Sequence, residues 1–215
     1  MHHSLLIKNR RITIVLLTAV VLVCPMLYFF VDRPVVKFAK SELPSWIKQI
    51  AEHTTGGGDW FLGLFAIIAL TWLFVLKNKL MFRKFLFPLL SAALAGILAH
   101  ILKFAVGRWR PKGFFQDGHY GFEPFSTIGY SHASMPSGHS AGIMATMAAV
   151  AILFPKWRIP CFAVAAFIGS TRIVLSSHYP GDVVAGLVLG YLCAHWLYYL
   201  LVRCKQLPES GTRGL

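Results

Sequence analysis

The chain has 215 residues, 56% of them hydrophobic and only 13% charged, with a formal net charge of +13 and a mean hydropathy of +0.62. A soluble domain carries about 25% charged residues, so this composition excludes an ordinary soluble protein and fits a single membrane-embedded domain over residues 1–215. The basic excess does not point to nucleic acid, because the cations lie in short clusters between apolar runs, as they do in loops that flank membrane helices.

Six apolar runs approach the roughly 20 residues that a spanning helix needs. The first, Thr13–Val31, follows Lys8, Arg10 and Arg11 as a secretory leader would. It is too long for a leader's apolar region and has no small-x-small cleavage site before Asp32, so it is predicted to stay as a helix. Residues 32–59 read as a loop. Within it Leu43, Trp46, Ile47 and Ile50 recur at helical spacing behind Pro44 and Ser45, and either a short amphipathic helix on the outer leaflet or a plain linker fits. The stretch TTGGGD, 54–59, is expected to break the chain, with Asp59 capping the second run, Trp60–Leu76. Four more runs follow: Phe85–Val106, Ser140–Phe154, Ile159–Ser176 and Val183–Val202. The fold expected is an all-α bundle of six transmembrane helices.

Six spans put both termini on one side. Twelve of the 21 basic residues fall on that side, in the N-terminus, the loops after the second and fourth runs, and the tail, with Glu209 as their one acid. Basic loops remain inside, so the termini are expected in the cytoplasm and 32–59, 107–139 and 177–182 outside. Cys24, Cys161, Cys193 and Cys204 lie in or just past apolar runs, which predicts neither a disulfide nor a metal site among them.

The unusual polar residues collect on the predicted outer side. The third run ends in KFAVGRWRP. Lys103 and Arg110 are nearly two helical turns apart and would share a face if the helix continued, although Pro111 disfavours helix at Arg110. Two cations in line need an anion, and ionisable groups within spans are functional candidates first. Arg108 and Lys112 fit simple snorkelling to headgroups. The fourth run opens with PSGH, in which Ser137 caps the helix, Gly138 permits close backbone approach, and free N–H groups favour phosphate beside His139. Taken alone, PSGH is a weak signal and reads more readily as a plain cap. The last stretch, TRIVLSSHYPGD, holds Arg172, His178 and Asp182. Pro180 and Gly181 rule out a helical His–Asp metal spacing. They allow the Asp182 carboxylate to fold back on the imidazole, which fixes its tautomer and readies the other nitrogen as a nucleophile.

Together these stretches resemble the motifs of the type 2 phosphatidic acid phosphatase family: K-x6-R-P at 103–111, P-S-G-H at 136–139, and S-R-x5-H-x3-D at 171–182, with Thr171 where the family usually has Ser. The likeness covers the motif-bearing core, 85–202. It implies an integral-membrane lipid phosphatase, with no metal or other cofactor and no obligatory protein partner, acting on a phosphomonoester or pyrophosphate. Substrates in keeping with it are lipid A, undecaprenyl pyrophosphate and phosphatidylglycerol phosphate. By the charge count the pocket is expected to open outward, and the membrane expected is a bacterial inner membrane. Carried onto matching positions, His178 attacks phosphorus to form a phosphohistidine, Asp182 orients it, and His139 protonates the leaving oxygen. Lys103, Arg110, Ser137, Gly138 and Arg172 hold the phosphoryl oxygens, and either hydroxyl at position 171 would serve as a further donor.

A lipid phosphotransferase would use the same histidine intermediate, and the motifs do not separate the two. A transporter would need polar residues through the bundle, whereas the charges stop near one face. The aromatic segment 113–134 is expected to form the lip of the pocket. His100 and His195 are expected to make helix–helix hydrogen bonds, and His132 is a candidate headgroup contact.

Overall fold

The computed structural model describes the backbone of residues 2–125 and 130–208, and their side chains except for 2–9, 56–62 and 130. Helix α1 (His2–Met26) contains Pro25, which has no N–H for the helical ladder. The helix widens directly afterwards into a π-turn, Leu27–Val31, the usual local answer to a disturbed ladder. It then continues as α2 (Asp32–Ser41).

The segment expected to be a loop is therefore largely helical. The break expected at 54–59 is also absent: α3 (Ser45–Phe74) runs through it unbroken, and Asp59 lies in the helix interior instead of at its start. Packing overrides the poor helix propensity of three glycines. Thr54 Oγ1 donates to the Ile50 carbonyl at 2.7 Å. Thr55 Oγ1 lies 2.7 Å from Thr171 Oγ1 and fastens α3 to the helix bearing Thr171. The amphipathic turn at Leu43–Ile50 is thus mostly the start of α3, behind Pro44.

Helix α4 (Lys79–Val106) starts before the predicted Phe85 because Asn78 caps it. Asn78 Oδ1 accepts from Leu80 N and Met81 N, both at 3.1 Å, two of the donors a helix start leaves unpaired. Next come α5 (Pro111–Asp117), α6 (Gly138–Leu153), α7 (Arg158–Val174) and α8 (Pro180–Arg203). No strand occurs among the described residues, and an isolated antiparallel bridge joins Arg108 to Phe122. The last three predicted runs match α6, α7 and α8 to within a turn, whereas α1, α3 and α4 begin well before the first three runs. Four segments are long and apolar enough to cross a membrane: Arg10–Ser41, Lys79–Val106, Pro155–Val174 and Pro180–Arg203. Gly63–Phe74 and Gly138–Leu153 are shorter apolar helices.

Helix α6 packs on α8, α4 and α7. Its contact positions are small: Ala141, Ala145, Ala148 and Ala149 are fully buried, as are Ala95 and Ala99 of α4, Ala165 of α7 and Ala194 of α8. Large apolar side chains point outward instead, among them Phe30 (74% exposed), Ile97 (61%) and Ile159 (80%). Small inside and large outside is how helices pack in lipid, where close backbone contact replaces the hydrophobic drive. The tightest seam is α8 on α6. A Cβ on Gly186 would stand 2.5 Å from the Ser137 carbonyl oxygen, and one on Gly190 2.1 Å from that of Ala141. Glycine there brings the start of α8 against the start of α6. All four cysteines are free thiols.

Candidate active site

Helix α4 ends at Gly107, whose φ of +58° is the left-handed conformation glycine tolerates. A side chain there would also collide with the Glu123 carbonyl, 1.8 Å from its Cβ. Past Gly107 the chain is paired on both edges. Glu123 N donates to Gly107 O (2.7 Å) and Trp109 N to Gly121 O (3.1 Å). On the other edge Ser134 N donates to Arg108 O (3.0 Å) and Arg110 N to Ser131 O (2.9 Å). Successive residues of an extended stretch point to opposite faces, so Arg108 and Arg110 share one.

Lys103 and Arg110 do not share a helical face, since the helix stops between them. They meet by another route: Lys103 Nζ (2.9 Å) and an Arg110 guanidinium nitrogen (3.0 Å) both donate to the carbonyl oxygen of Ala133. Arg172, in the last turn of α7, acts electrostatically on Lys103. The backbone of Gly138 lies beside Lys103, with its would-be Cβ 3.9 Å from Lys103 Cε.

Ser137 caps α6. Its Oγ accepts from Ser140 Oγ at 2.9 Å, and its N–H donates to the main-chain oxygen of Asp182 at 2.9 Å. Stretches 136–139 and 171–182 are therefore joined directly. His139 sits in the first turn of α6 and is exposed. After α7, the N–H groups of Ser177 and His178 turn back to the Arg172 carbonyl (3.0 and 3.2 Å). His178 is 2% exposed and Asp182 fully buried. The expected approach of carboxylate to imidazole is present, with His178 Nδ1 3.6 Å from Asp182 Oδ2. That is an ion-pair distance, longer than a hydrogen bond, because Oδ2 already accepts from Ser134 Oγ (2.5 Å) and Tyr179 N (2.9 Å). Burial, opposed by Asp182 and aided by Arg110 and Lys103, pushes the His178 pKa down to about 4.

Arg108 is the main correction to the sequence reading. It does not snorkel: it is 1% exposed and forks between two buried carboxylates, Asp182 Oδ1 at 2.7 Å and Asp32 Oδ2 at 2.5 Å. Its guanidinium lies over the rings of Tyr179 (4.5 Å) and Tyr28 (5.2 Å). Burial alone would depress its pKa, but the charges of Asp182 and Asp32 outweigh that and raise it. Asp32 also accepts from Gly181 N at 2.9 Å. The glycine of the Pro-Gly turn is needed for that contact, since a Cβ at 181 would stand 3.1 Å from Asp32 Oδ2 and 3.3 Å from an Arg108 nitrogen.

Thr171 is a second correction. Its hydroxyl donates to Ile168 O at 2.6 Å and meets Thr55, so it serves helix packing and not a phosphate. His132 is buried, 3.0 Å from Glu123 Oε2 and against the Trp109 ring, which seats it in the lip. His100 and His195 turn Nδ1 to carbonyls four residues back on their own helices, Gly96 at 3.1 Å and Tyr191 at 3.0 Å.

Three motif stretches thus converge at one set of helix ends. The family model described as the PAP2 superfamily matches residues 84–206. The chain belongs to the PAP2 superfamily. Its matched residues take in all three stretches. A lipid A 1-phosphatase of Rhizobium etli is 35% identical over 85% of this chain and 82% of its own length. One of Rhizobium johnstonii is 35% identical over 93% and 84%. The fold is also similar to the crystal structure of a transmembrane PAP2 type phosphatidylglycerolphosphate phosphatase from Bacillus subtilis. That match has TM-score 0.66 at 21% identity, over 89% of this chain and 96% of that one. The chain is accordingly a membrane lipid phosphatase of the PAP2 type. Asp32, Arg108 and Ser134 are the site residues that motif reading passed over. The signal for Asp32 was an acid at the edge of an apolar run, and Arg108 stood inside the first motif as a spacer.

Proposed function

We propose that the protein hydrolyses a phosphomonoester of a lipid A-type headgroup through a phosphohistidine at His178. The observation that carries this reading is the buried pair of His178 and Asp182, set beside two cations that converge on one carbonyl. Phosphoryl transfer is mostly positioning and charge stabilisation. Lys103, Arg110 and Arg172 neutralise the phosphoryl oxygens, Arg with its fork geometry, and the Ser137 hydroxyl and the Gly138 N–H add donors at the helix start.

The steps follow from the tautomer. With Nδ1–H toward Asp182, Nε2 of neutral His178 carries the lone pair and attacks phosphorus. The P–O bond to the lipid breaks, and His139 gives its proton to the leaving oxygen. Water then attacks the phosphohistidine, His139 takes a proton from it, and inorganic phosphate and free His178 result. Asp182 stabilises the ring while it carries positive charge. Arg108 holds the Asp182 carboxylate in place, and Asp32 holds Arg108.

The reading includes six spans, with Gly63–Phe74 and Gly138–Leu153 completing the four longer ones. The positive charge bias favours cytoplasmic termini and a site facing outward from a bacterial inner membrane. The 35% identity to two lipid A 1-phosphatases favours that substrate over an undecaprenyl or phosphatidylglycerol phosphate.

The test is phosphate release by detergent-purified protein in EDTA from lipid A, undecaprenyl pyrophosphate, phosphatidylglycerol phosphate and phosphatidic acid. Lipid A is expected to be the best substrate, with EDTA without effect and His178→Ala slower by at least about a thousandfold. Release from a different lipid would reassign the substrate. Transfer of the phosphate to a second lipid would make the enzyme a phosphotransferase.

A further inference from the structure

Beside Arg110 lies a cavity of about 410 Å³. Its walls carry Lys40 from the end of α2, Lys48 and Glu52 from the start of α3, and Lys112 and Phe115 from α5; the turn after α7 closes it. Arg110 is the one residue it shares with the phosphoryl-binding set. Three lysines and Arg110 face one carboxylate, Glu52, so the cavity is complementary to an anion.

Two of the lysines are held in position. Lys40 Nζ sits 4.4 Å from the centre of the Phe115 ring, a cation–π seat that leaves its remaining donors for a ligand. Lys48 Nζ donates to the Lys40 carbonyl at 2.8 Å. Helix α2 is anchored to the lip by the same means, with Arg33 over Tyr120 (5.0 Å) and Lys37 over Phe114 (5.6 Å). Cations from three separate elements are thus gathered around a cavity that shares Arg110 with the proposed phosphoryl-binding set.

We propose that this cavity is a second anion subsite, which receives a phosphate of the same headgroup other than the one transferred. This rests on the phosphatase reading above and adds a substrate class to it: lipids whose headgroup carries two phosphates. A bisphosphorylated sugar headgroup and a lipid diphosphate share that chemistry.

The experiment measures binding in detergent on a His178→Ala background, so that no lipid is consumed. It uses two pairs: lipid A with both phosphates and its form lacking the distal one, and undecaprenyl diphosphate and monophosphate. Lys40→Ala/Lys48→Ala and Lys112→Ala are expected to weaken the doubly phosphorylated lipid A by about tenfold and to leave the singly phosphorylated form within about twofold. Lys112→Arg should restore the difference. Discrimination in the undecaprenyl pair instead would identify the occupant as the lipid-linked phosphate of a diphosphate, whose terminal phosphate is the one transferred. Equal weakening of both members of each pair, or no weakening, would overturn the subsite. Turnover by the otherwise unaltered protein is followed in parallel. Absence of phosphate release with the binding difference intact would remove the phosphatase reading and leave the subsite standing.

Discussion

Arg108 donates to Asp182 and Asp32, and none of the three reaches solvent. Replacing it by Met would leave two carboxylates buried without a counter-ion, a loss of about 3–5 kcal/mol. Arg108→Met is therefore expected to lower the melting temperature sharply in detergent. Asp32→Asn leaves a paired Arg108 and Asp182 and should cost about 1–3 kcal/mol. If Asp32 positions the nucleophile through Arg108, Asp32→Asn lowers kcat while KM stays within about twofold; an effect on KM alone would contradict that role. His178 brings a pH dependence. Its pKa is lowered from 6.5 to about 4 by burial, so between those values the unfolded chain binds more protons than the folded one. Stability then falls as pH drops from about 6.5 to 4, and levels off below. The melting temperature should decline across that window, and less so in His178→Asn; parallel curves would count against a neutral buried imidazole. These residues differ in legibility. His178 and Asp182 stood out because a Pro-Gly turn separates them. Arg108 looked like a snorkelling cation, since a sequence shows neighbours along the chain and its two partners lie on other helices.

At the scale of elements, the seam between α6 and α8 sets the site. Gly186 faces the Ser137 carbonyl at the point where Ser137 N reaches Asp182 O. Gly186→Ala is expected to lower stability by about 1–3 kcal/mol and to reduce phosphate release by parting those two stretches. Gly142→Ala, on α6 with open space around it, serves as the control and should leave both nearly unchanged. Retained activity in Gly186→Ala would show that the contact does not govern the site. The apolar runs that became helices were plain in the sequence, because apolar length is a strong signal. The continuity of α3 was not. Three glycines and a polar stretch argue locally for a break, and the bond between Thr55 and Thr171 that favours helix spans more than a hundred residues. The end of α4 was half legible: Pro111 marked a boundary, and Gly107 placed it one turn earlier.

Across the whole molecule the chemistry gathers where the end of α4, the start of α6 and the turn from α7 to α8 meet. Alternation of direction along a bundle brings those ends to one side, which is why the site's composition could be read before its geometry. The same alternation brings the end of the first apolar run there. Asp32 belongs to the site for that reason, although no motif contains it. This assembly holds one buried imidazole beside Asp182, with Lys103 and Arg110 acting on it. The most direct test is to mix the purified protein with lipid A radiolabelled in the transferred phosphate, quench within the first turnover, and recover the protein. A label that survives alkali, is lost in acid and is absent from His178→Ala is predicted, as expected for a phosphoimidazole intermediate. Phosphate release by His178→Ala at a near-normal rate would contradict the account.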